Sequence, residues 1–434
     1  MKILHVSGAL SLALAVCVPT SAKVIGHNTP AESVTAERVR AVLPAAQQGA
    51  WLQYLERSAQ QQAADRAALA AELKAAGRTV ALMPKEGFSA HSIPVDMEPM
   101  WYGSDAALKI ADTIVSFQIP NGGWSKNLDM AQPARVQGES YAAANLNRYP
   151  DAADYDAARD PHWNYVGTLD NDATNTELNF LLKVIRALPP EQSTKYRASY
   201  LAGIGYLLHA QYPNGGWPQV WPLQGGYHDA VTFNDNAVTE SLESLEPVAN
   251  GEVAFATAAM RAEAKAAFAH GLECVLAAQI SVDGKKTVWA QQNDALTLQP
   301  VSARNYEMPA LASGESAAVL EFLMKLPHPS AAVEAAVRSG AAWFKATAIY
   351  GYTWGGTRAE GRHLAKQEGA GPIWARYYSL ATDTPIFGDR DKTIHDDVSE
   401  ISLERRNGYA WYNGEGAAVL EQYRAWSRKH GTGH

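Results

Sequence analysis

The stretch "HAQYPNGGWPQVW", residues 209–221, closes a run of helical periodicity with Gln211-Tyr212-Pro213-Asn214-Gly215-Gly216-Trp217, and the same words occur 93 residues earlier as "SFQIPNGGW", residues 116–124. A third variant, "AAQISVDGKKTVW" (277–289), keeps Gln279, Asp283-Gly284 and Trp289 in related order. Each copy follows an amphipathic segment. Glycine supplies the left-handed backbone that stops a helix, and proline prevents its continuation. The repeated words therefore read as corners between helices.

Outward from these corners the pattern predicts helices at 104–118, 175–188, 196–211, 236–248, 252–279, 315–326 and 331–347, with few β-branched alternating runs. Helical hairpins repeated at unequal intervals, with their loops elaborated on one side, point to a mainly α chain folded as an (α/α) toroid rather than an open solenoid. Residues 23–100 read as a small N-terminal helical region, from Ala31 to Gly77, followed by an irregular arm. Residues 101–434 read as the main domain.

Residues 1–22, "MKILHVSGALSLALAVCVPTSA", place Lys2 before a short apolar run and end in small residues. They predict a secretory signal peptide. Its removal leaves 36 basic and 45 acidic residues and Cys274 as the only cysteine, so no intrachain disulfide is expected. The acidic balance argues against a nucleic-acid partner, and the lack of a later long apolar run argues against a membrane partner. A monomeric protein, periplasmic or secreted from a bacterium, is the expectation. A polyanionic ligand would have to be met by a local basic cluster or a bridging cation.

Two Asp/Asn clusters precede helices: "LDNDATNTEL" (169–178) and "TFNDNAVTESL" (232–242). A single such residue is an ordinary helix cap, and Thr174 with Glu177 has the spacing of a capping box. Several oxygen donors together, without the His/Cys spacing of zinc, suit Ca²⁺. Arg304, Arg376 and Arg390 lie in aromatic-rich loops, where guanidinium forks could hold carboxylates. Trp124, Trp217, Trp221, Tyr227 and Trp354 could stack on sugar rings, or belong to the corners and core. No GxSxG or HExxH motif is present.

The blocks "NGGWSKN", "LDNDATNTEL", "YPNGGWPQVWPLQGGYHDAVTFNDNAV", "TVWAQQNDALTLQPVSARNYEMPALASGES" and "FGDRDKTIHDDVSEISLERRNGYAWY" together resemble the family 10 polysaccharide lyases, pectate lyases with an (α/α) toroid. The match runs over about residues 100–412. The resemblance implies Ca²⁺-assisted anti β-elimination of α-1,4-polygalacturonate (pectate), giving 4,5-unsaturated products. It implies Arg304 as base, and Arg376, Arg390, Asn171, Lys126, Asn127 and Tyr227 as substrate ligands. Asp170, Asp235 and Asp172 are the implied metal ligands. In this picture Ca²⁺, Arg376 and Arg390 crowd Arg304 with positive charge and favour its neutral form. Two other readings remain open: a non-catalytic Ca²⁺-dependent binder of acidic polysaccharide, and a terpene-cyclase-like toroid, whose corner motif is similar but whose acidic proton-donor motif is missing.

Overall fold

The computed structural model describes residues 23–87, 89–146 and 153–431; the signal-peptide expectation lies outside them. Twelve α-helices are found among the described residues: α1 (Ala36–Val42), α2 (Ala45–Ala75), α3 (Ser89–Ser92), α4 (Asp105–Phe117), α5 (Asn175–Ala187), α6 (Thr194–Ala210), α7 (Ala237–Ala249), α8 (Ala258–Ala277), α9 (Ser313–Lys325), α10 (Ala331–Thr347), α11 (Leu403–Gly408) and α12 (Glu415–Lys429). The seven predicted main-domain helices are present within a few residues of their expected ends, except that α8 starts six residues late. None of the helices is long and apolar enough to cross a membrane.

Helices α5, α7 and α9 form an inner layer, against which α4, α6, α8, α10 and α12 pack as an outer layer, the arrangement of an (α/α) toroid. Every outer helix from α4 to α10 ends in the same corner. The indole N–H of Trp124 donates to Ile114 O (2.8 Å), that of Trp217 to Leu207 O (2.9 Å), and that of Trp289 to Val275 O (2.7 Å). A fourth corner, not apparent in the sequence, has Trp374 donating to Phe344 O (2.9 Å). Each bond goes to a carbonyl in the last turn of the outer helix, where backbone partners run out, although Leu207 O also accepts from the cap residue Gln211 N (3.2 Å).

The corner glutamine has a separate task. Gln118 Nε2 donates to Gly122 O (2.7 Å) and to Ser199 O of α6 (2.8 Å), while Gln211 Nε2 donates to Gly215 O (2.9 Å) and Ala267 O of α8 (2.8 Å). Gln279 reaches Thr287 O and Ala336 O of α10 in the same way. One amide thus ties its own loop to the next outer helix. The fourth corner has Ala348 at this place, and its loop opens into a β-hairpin, Tyr352–Gly355 paired with His363–Lys366. The missing glutamine and the long insertion hid this repeat.

Residues 23–100 are not a separate core. Val34, Val39, Trp51, Tyr54 and Ile93 belong to the same buried cluster as the toroid. The segment crosses the corner loops, its earlier residues meeting the later corner. Glu72 holds Arg135, Asp65 accepts from Asn121 Nδ2 (2.8 Å), Tyr54 Oη donates to Ala210 O (2.8 Å), and Val34 N donates to Asp229 (3.0 Å). Farther back, Asn28 Nδ2 meets the carbonyls of Arg304, Asn305 and Glu307 (3.2, 3.0 and 3.3 Å), and the strand Gly26–His27 pairs with Thr393–His395. The expected helix across 31–77 is broken before Pro44, as proline without an N–H requires.

Gly215 has φ +90°, and a β-carbon there would lie 2.1 Å from the His270 carbonyl oxygen. Gly215→Ala is expected to cost about 2–4 kcal/mol from left-handed strain and overpacking. Gly205, inside α6 with open space around it, gives the opposite sign: Gly205→Ala should stabilise by up to about 1 kcal/mol. Urea unfolding followed by circular dichroism measures both.

Candidate active site

The corner that fixes Trp124 also fixes the two residues that come after Ser125. Lys126 turns its ammonium onto the Tyr165 ring, 3.4 Å from the centroid, and ion-pairs with Asp170. Asn127 takes a left-handed φ of 60° and links Asn145 to Asn171, at 3.0 and 2.9 Å. From the far end of the N-terminal strap, residues 23–100, Gly87 N donates to Asn127 O (2.9 Å).

The two Asp/Asn clusters form single tight turns at the N-termini of α5 and α7, and their shapes are strained. Asn171, Asp172, Thr174, Asp235 and Asn236 all have positive φ, between 49° and 67°, a conformation costly for residues other than glycine. The capping box expected at Thr174 and Glu177 does not form. Thr174 Oγ1 instead donates to Thr168 O (2.8 Å) and accepts from Trp124 N (3.1 Å), because its left-handed backbone turns the hydroxyl toward the corner.

The strain brings two carboxylates together. Asn171 N donates to Asp235 Oδ2 (2.9 Å), Gln219 Nε2 to Asp170 Oδ1 (2.5 Å), and Asn234 Nδ2 to both acids, 2.8 Å to Asp235 and 3.4 Å to Asp170. Burial disfavours ionisation of Asp170, but Lys126, with smaller help from a hydrogen bond with Asp235 and from Arg304, outweighs it and the carboxyl sits below the ordinary aspartate value. Asp235 has no such partner. Burial first, and the Asp170 charge second, push it up to about 8.

Across the cavity stand the arginines, each held by a carboxylate, which Arg390 shares with Arg405. Arg304 Nε and Nη2 grip Glu307 at 2.9 and 2.6 Å, leaving Nη1 without a hydrogen bond among the described residues. Arg376 Nη2 is 2.6 Å from Glu315 in the first turn of α9, and Arg390 Nε is 2.9 Å from Glu404. The expected crowding of Arg304 by unbalanced arginines is therefore corrected. Burial favours the neutral guanidine, yet Glu307 outweighs burial and holds Arg304 more firmly protonated than usual. Glu307, only 2% exposed in its side chain, is drawn down to about 2 by the same pair, against its own burial.

Lys126, Asp170, Asn171, Tyr227, Asp235, Arg304 and Arg376 line one polar cavity of about 260 Å³. Asn127 stands behind it on Asn171, and Arg390 lies one ring away, sharing Tyr306 with Arg304. Asp172 is not brought to the two acids. It lines a second cavity of about 390 Å³ beside Asn175 and Glu240, so a three-carboxylate set is not assembled, and no cluster of three potential metal ligands occurs among the described residues. Trp124, Trp217 and Trp221 are buried in the corners and core rather than presented to a sugar. Trp354 packs on Tyr412, 5.2 Å between ring centroids.

Glu307, Gln219, Asn234, Gln291, Tyr165 and Tyr409 also line the smaller cavity, and the sequence reading assigned them no role. Glu307 alone carried a signal, three residues after Arg304. A wall of acids, amides and arginines also excludes the apolar cavity that a terpene-cyclase-like enzyme needs.

The pectic acid lyase family profile matches residues 118–420, the span that carries the corners, both Asp/Asn turns and the arginine wall. No curated protein sequence matches significantly. Among solved structures, a family 10 polysaccharide lyase from Cellvibrio cellulosa is 33% identical over 79% of this chain and 98% of its own, with a TM-score of 0.63. A point mutant of the Cellvibrio cellulosa family 10 lyase in complex with trigalacturonic acid is 32% identical over 80% and 99%, also at 0.63. With the toroid, the acid pair and the arginine wall all in the matched span, the chain belongs to the pectic acid lyase family, among the family 10 polysaccharide lyases, and is a pectate lyase.

Proposed function

We propose that this pectate lyase cleaves α-1,4-polygalacturonate by Ca²⁺-assisted anti β-elimination, with Arg304 as the base. The observation that carries the reading is the convergence of one acid pair and three cations on a single small cavity. Asp170 and Asp235 would hold the cation: two buried carboxylates on facing turns, surrounded by amides, suit a hard divalent ion. When bound, Ca²⁺ supplies positive charge against the uronate carboxylate and so acidifies the neighbouring C5–H. Asp172 takes no part in this set.

The chain's own groups do the rest. Lys126 and Arg376 meet the uronate carboxylate, and Asn171 with Asn127 fixes the sugar beside the acid pair. Arg304 offers Nη1, since Glu307 occupies Nε and Nη2. In its neutral form that nitrogen takes the C5 proton, the C–H electron pair becomes the C4–C5 double bond, and the C4–O4 bond breaks. The departing oxygen takes a proton from water. Glu307 orients the guanidine while opposing its deprotonation, so the reactive form needs alkaline conditions. We read the enzyme as exported after loss of residues 1–22, and as a monomer.

Arg304→Ala should lower kcat by roughly 10²–10⁴-fold at saturating Ca²⁺, as followed by the ultraviolet absorbance of the unsaturated product. For the unaltered enzyme kcat/KM should climb with pH without a plateau below about pH 10, because the base is an arginine. Full activity in Arg304→Ala would remove the assignment.

Ca²⁺ affinity, measured by calorimetry, should tighten about tenfold per unit as pH rises toward 8 and level off above it, since Asp235 must lose its proton. Asp235→Asn should abolish this dependence. The same shift has a stability sign. The raised carboxyl stabilises the metal-free fold in full below the ordinary value near 3.9, and this contribution is lost as pH rises through about 8.

Asn28 bonds three carbonyls around Arg304. Asn28→Ala should reduce kcat by roughly 10–100-fold with KM within about twofold, the signature of a displaced base rather than lost binding. Equal losses in both constants would argue against this role.

A further inference from the structure

The hairpin inserted in the fourth corner is not used by the site described so far. Its tip docks on α11: Asn407 Nδ2 donates to Arg358 O (2.8 Å), Arg362 N donates to Asn407 Oδ1 (3.2 Å), and the Arg406 guanidinium rests on Gly361, where a β-carbon would come within 2.8 Å of it. Helix α11 is itself part of the active-site wall. Its Glu404 holds Arg390, its Arg405 lies over Tyr306 (4.3 Å), and the next residue beyond it, Tyr409, donates to Glu307 (2.5 Å).

This junction carries three exposed cations, Arg358, Arg362 and Lys366, against two exposed carboxylates, Glu360 and Glu368, in a chain whose formal net charge is −8. The charged groups of the three cations, and the guanidinium of Arg406, make no ion pair or hydrogen bond among the described residues, and Arg406 Nε is buried without a partner. Glu360 accepts from the neutral Thr357 hydroxyl (2.9 Å) and makes no ion pair with these cations, while Glu404 is paired with Arg390 and Arg405. Arg304 and Arg376 are each paired with an acid and Arg390 shares Glu404 with Arg405, whereas the hairpin cations have no ion pair among the described residues. A polymer of uronates extends beyond a cavity of about 260 Å³, and its further residues each carry a carboxylate, which guanidinium forks match.

We propose that the 352–366 hairpin and α11 form a distal subsite that binds carboxylates of the uronate chain outside the catalytic cavity, so that the enzyme discriminates long chains from short ones. The inference rests on the pectate-lyase reading and adds to it a chain-length dependence with its own residues.

The test compares the unaltered enzyme with Arg358→Ala/Arg362→Ala on long polygalacturonate and on trigalacturonate at fixed Ca²⁺. The double variant should raise KM for the polymer about five- to tenfold, leave kcat and both constants for the trimer within twofold, and flatten the dependence of polymer KM on salt. Arg358→Lys/Arg362→Lys should recover part of the polymer affinity, since charge remains and the fork is lost. An unchanged polymer KM overturns the proposal. Equal loss on polymer and trimer also overturns it, by making the hairpin part of the catalytic structure. Failure of the unaltered enzyme to form unsaturated product from either substrate would instead strike the parent reading.

Discussion

An indole N–H donated to the last turn of the preceding helix sets the position of every loop that matters in this molecule. The bond from Trp124 to Ile114 O places the 125–127 loop, and the bond from Trp217 to Leu207 O places the start of the chain that runs to Asp235. A helix ending inside a protein must satisfy its final carbonyls, and a buried tryptophan does so while filling the corner with apolar surface. Close approach of the next outer helix depends on this choice. Gly203, Gly271 and Gly416 face Trp124, Trp217 and Trp374, and β-carbons there would meet the indoles at 3.0 Å or less. The repeat is therefore a packing solution, and the chemistry resides in the loops that each tryptophan anchors.

The corners were legible because they must be spelled with particular residues: glycine for positive φ, glutamine for a two-ended clamp, tryptophan for the indole bond. The fourth was hidden because Ala348 replaces glutamine and the hairpin separates Trp374 from its helix. The Asp/Asn turns were legible as clusters, but the direction of Asp172 was not. It is set by left-handed backbone at Asn171 and Asp172 themselves, which sequence spacing does not encode. The loop arginines could be named in the sequence, whereas their partners could not. Glu315 and Glu404 come from helices 61 and 14 residues away from the arginines they hold, and only folding brings them close.

The electrostatics arise from those partnerships. This acidic chain pairs its cavity arginines with carboxylates, Arg304 with Glu307 and Arg376 with Glu315, which leaves little net charge there. Cations without an ion pair among the described residues lie instead at the Arg406 and hairpin surface. On the opposite side of the cavity the logic inverts: Asp170 has Lys126, while Asp235 is left with a like charge and burial. A divalent ion relieves that repulsion in a way that a single lysine does not.

The N-terminal strap has a temporal meaning. Its contacts are nested, spanning 56 residues between Asp65 and Asn121, 276 between Asn28 and Arg304, and 377 between Lys23 and Glu400. During synthesis from the N-terminus the inner loops can close first, while the outer closures must wait for chain not yet made, and long loops cost more entropy to close. The buttress under Arg304 is thus among the later contacts available to a growing chain. Assembly of the toroid's first hairpins can precede the contacts around Arg304, which form only once stretches far apart in the sequence have met.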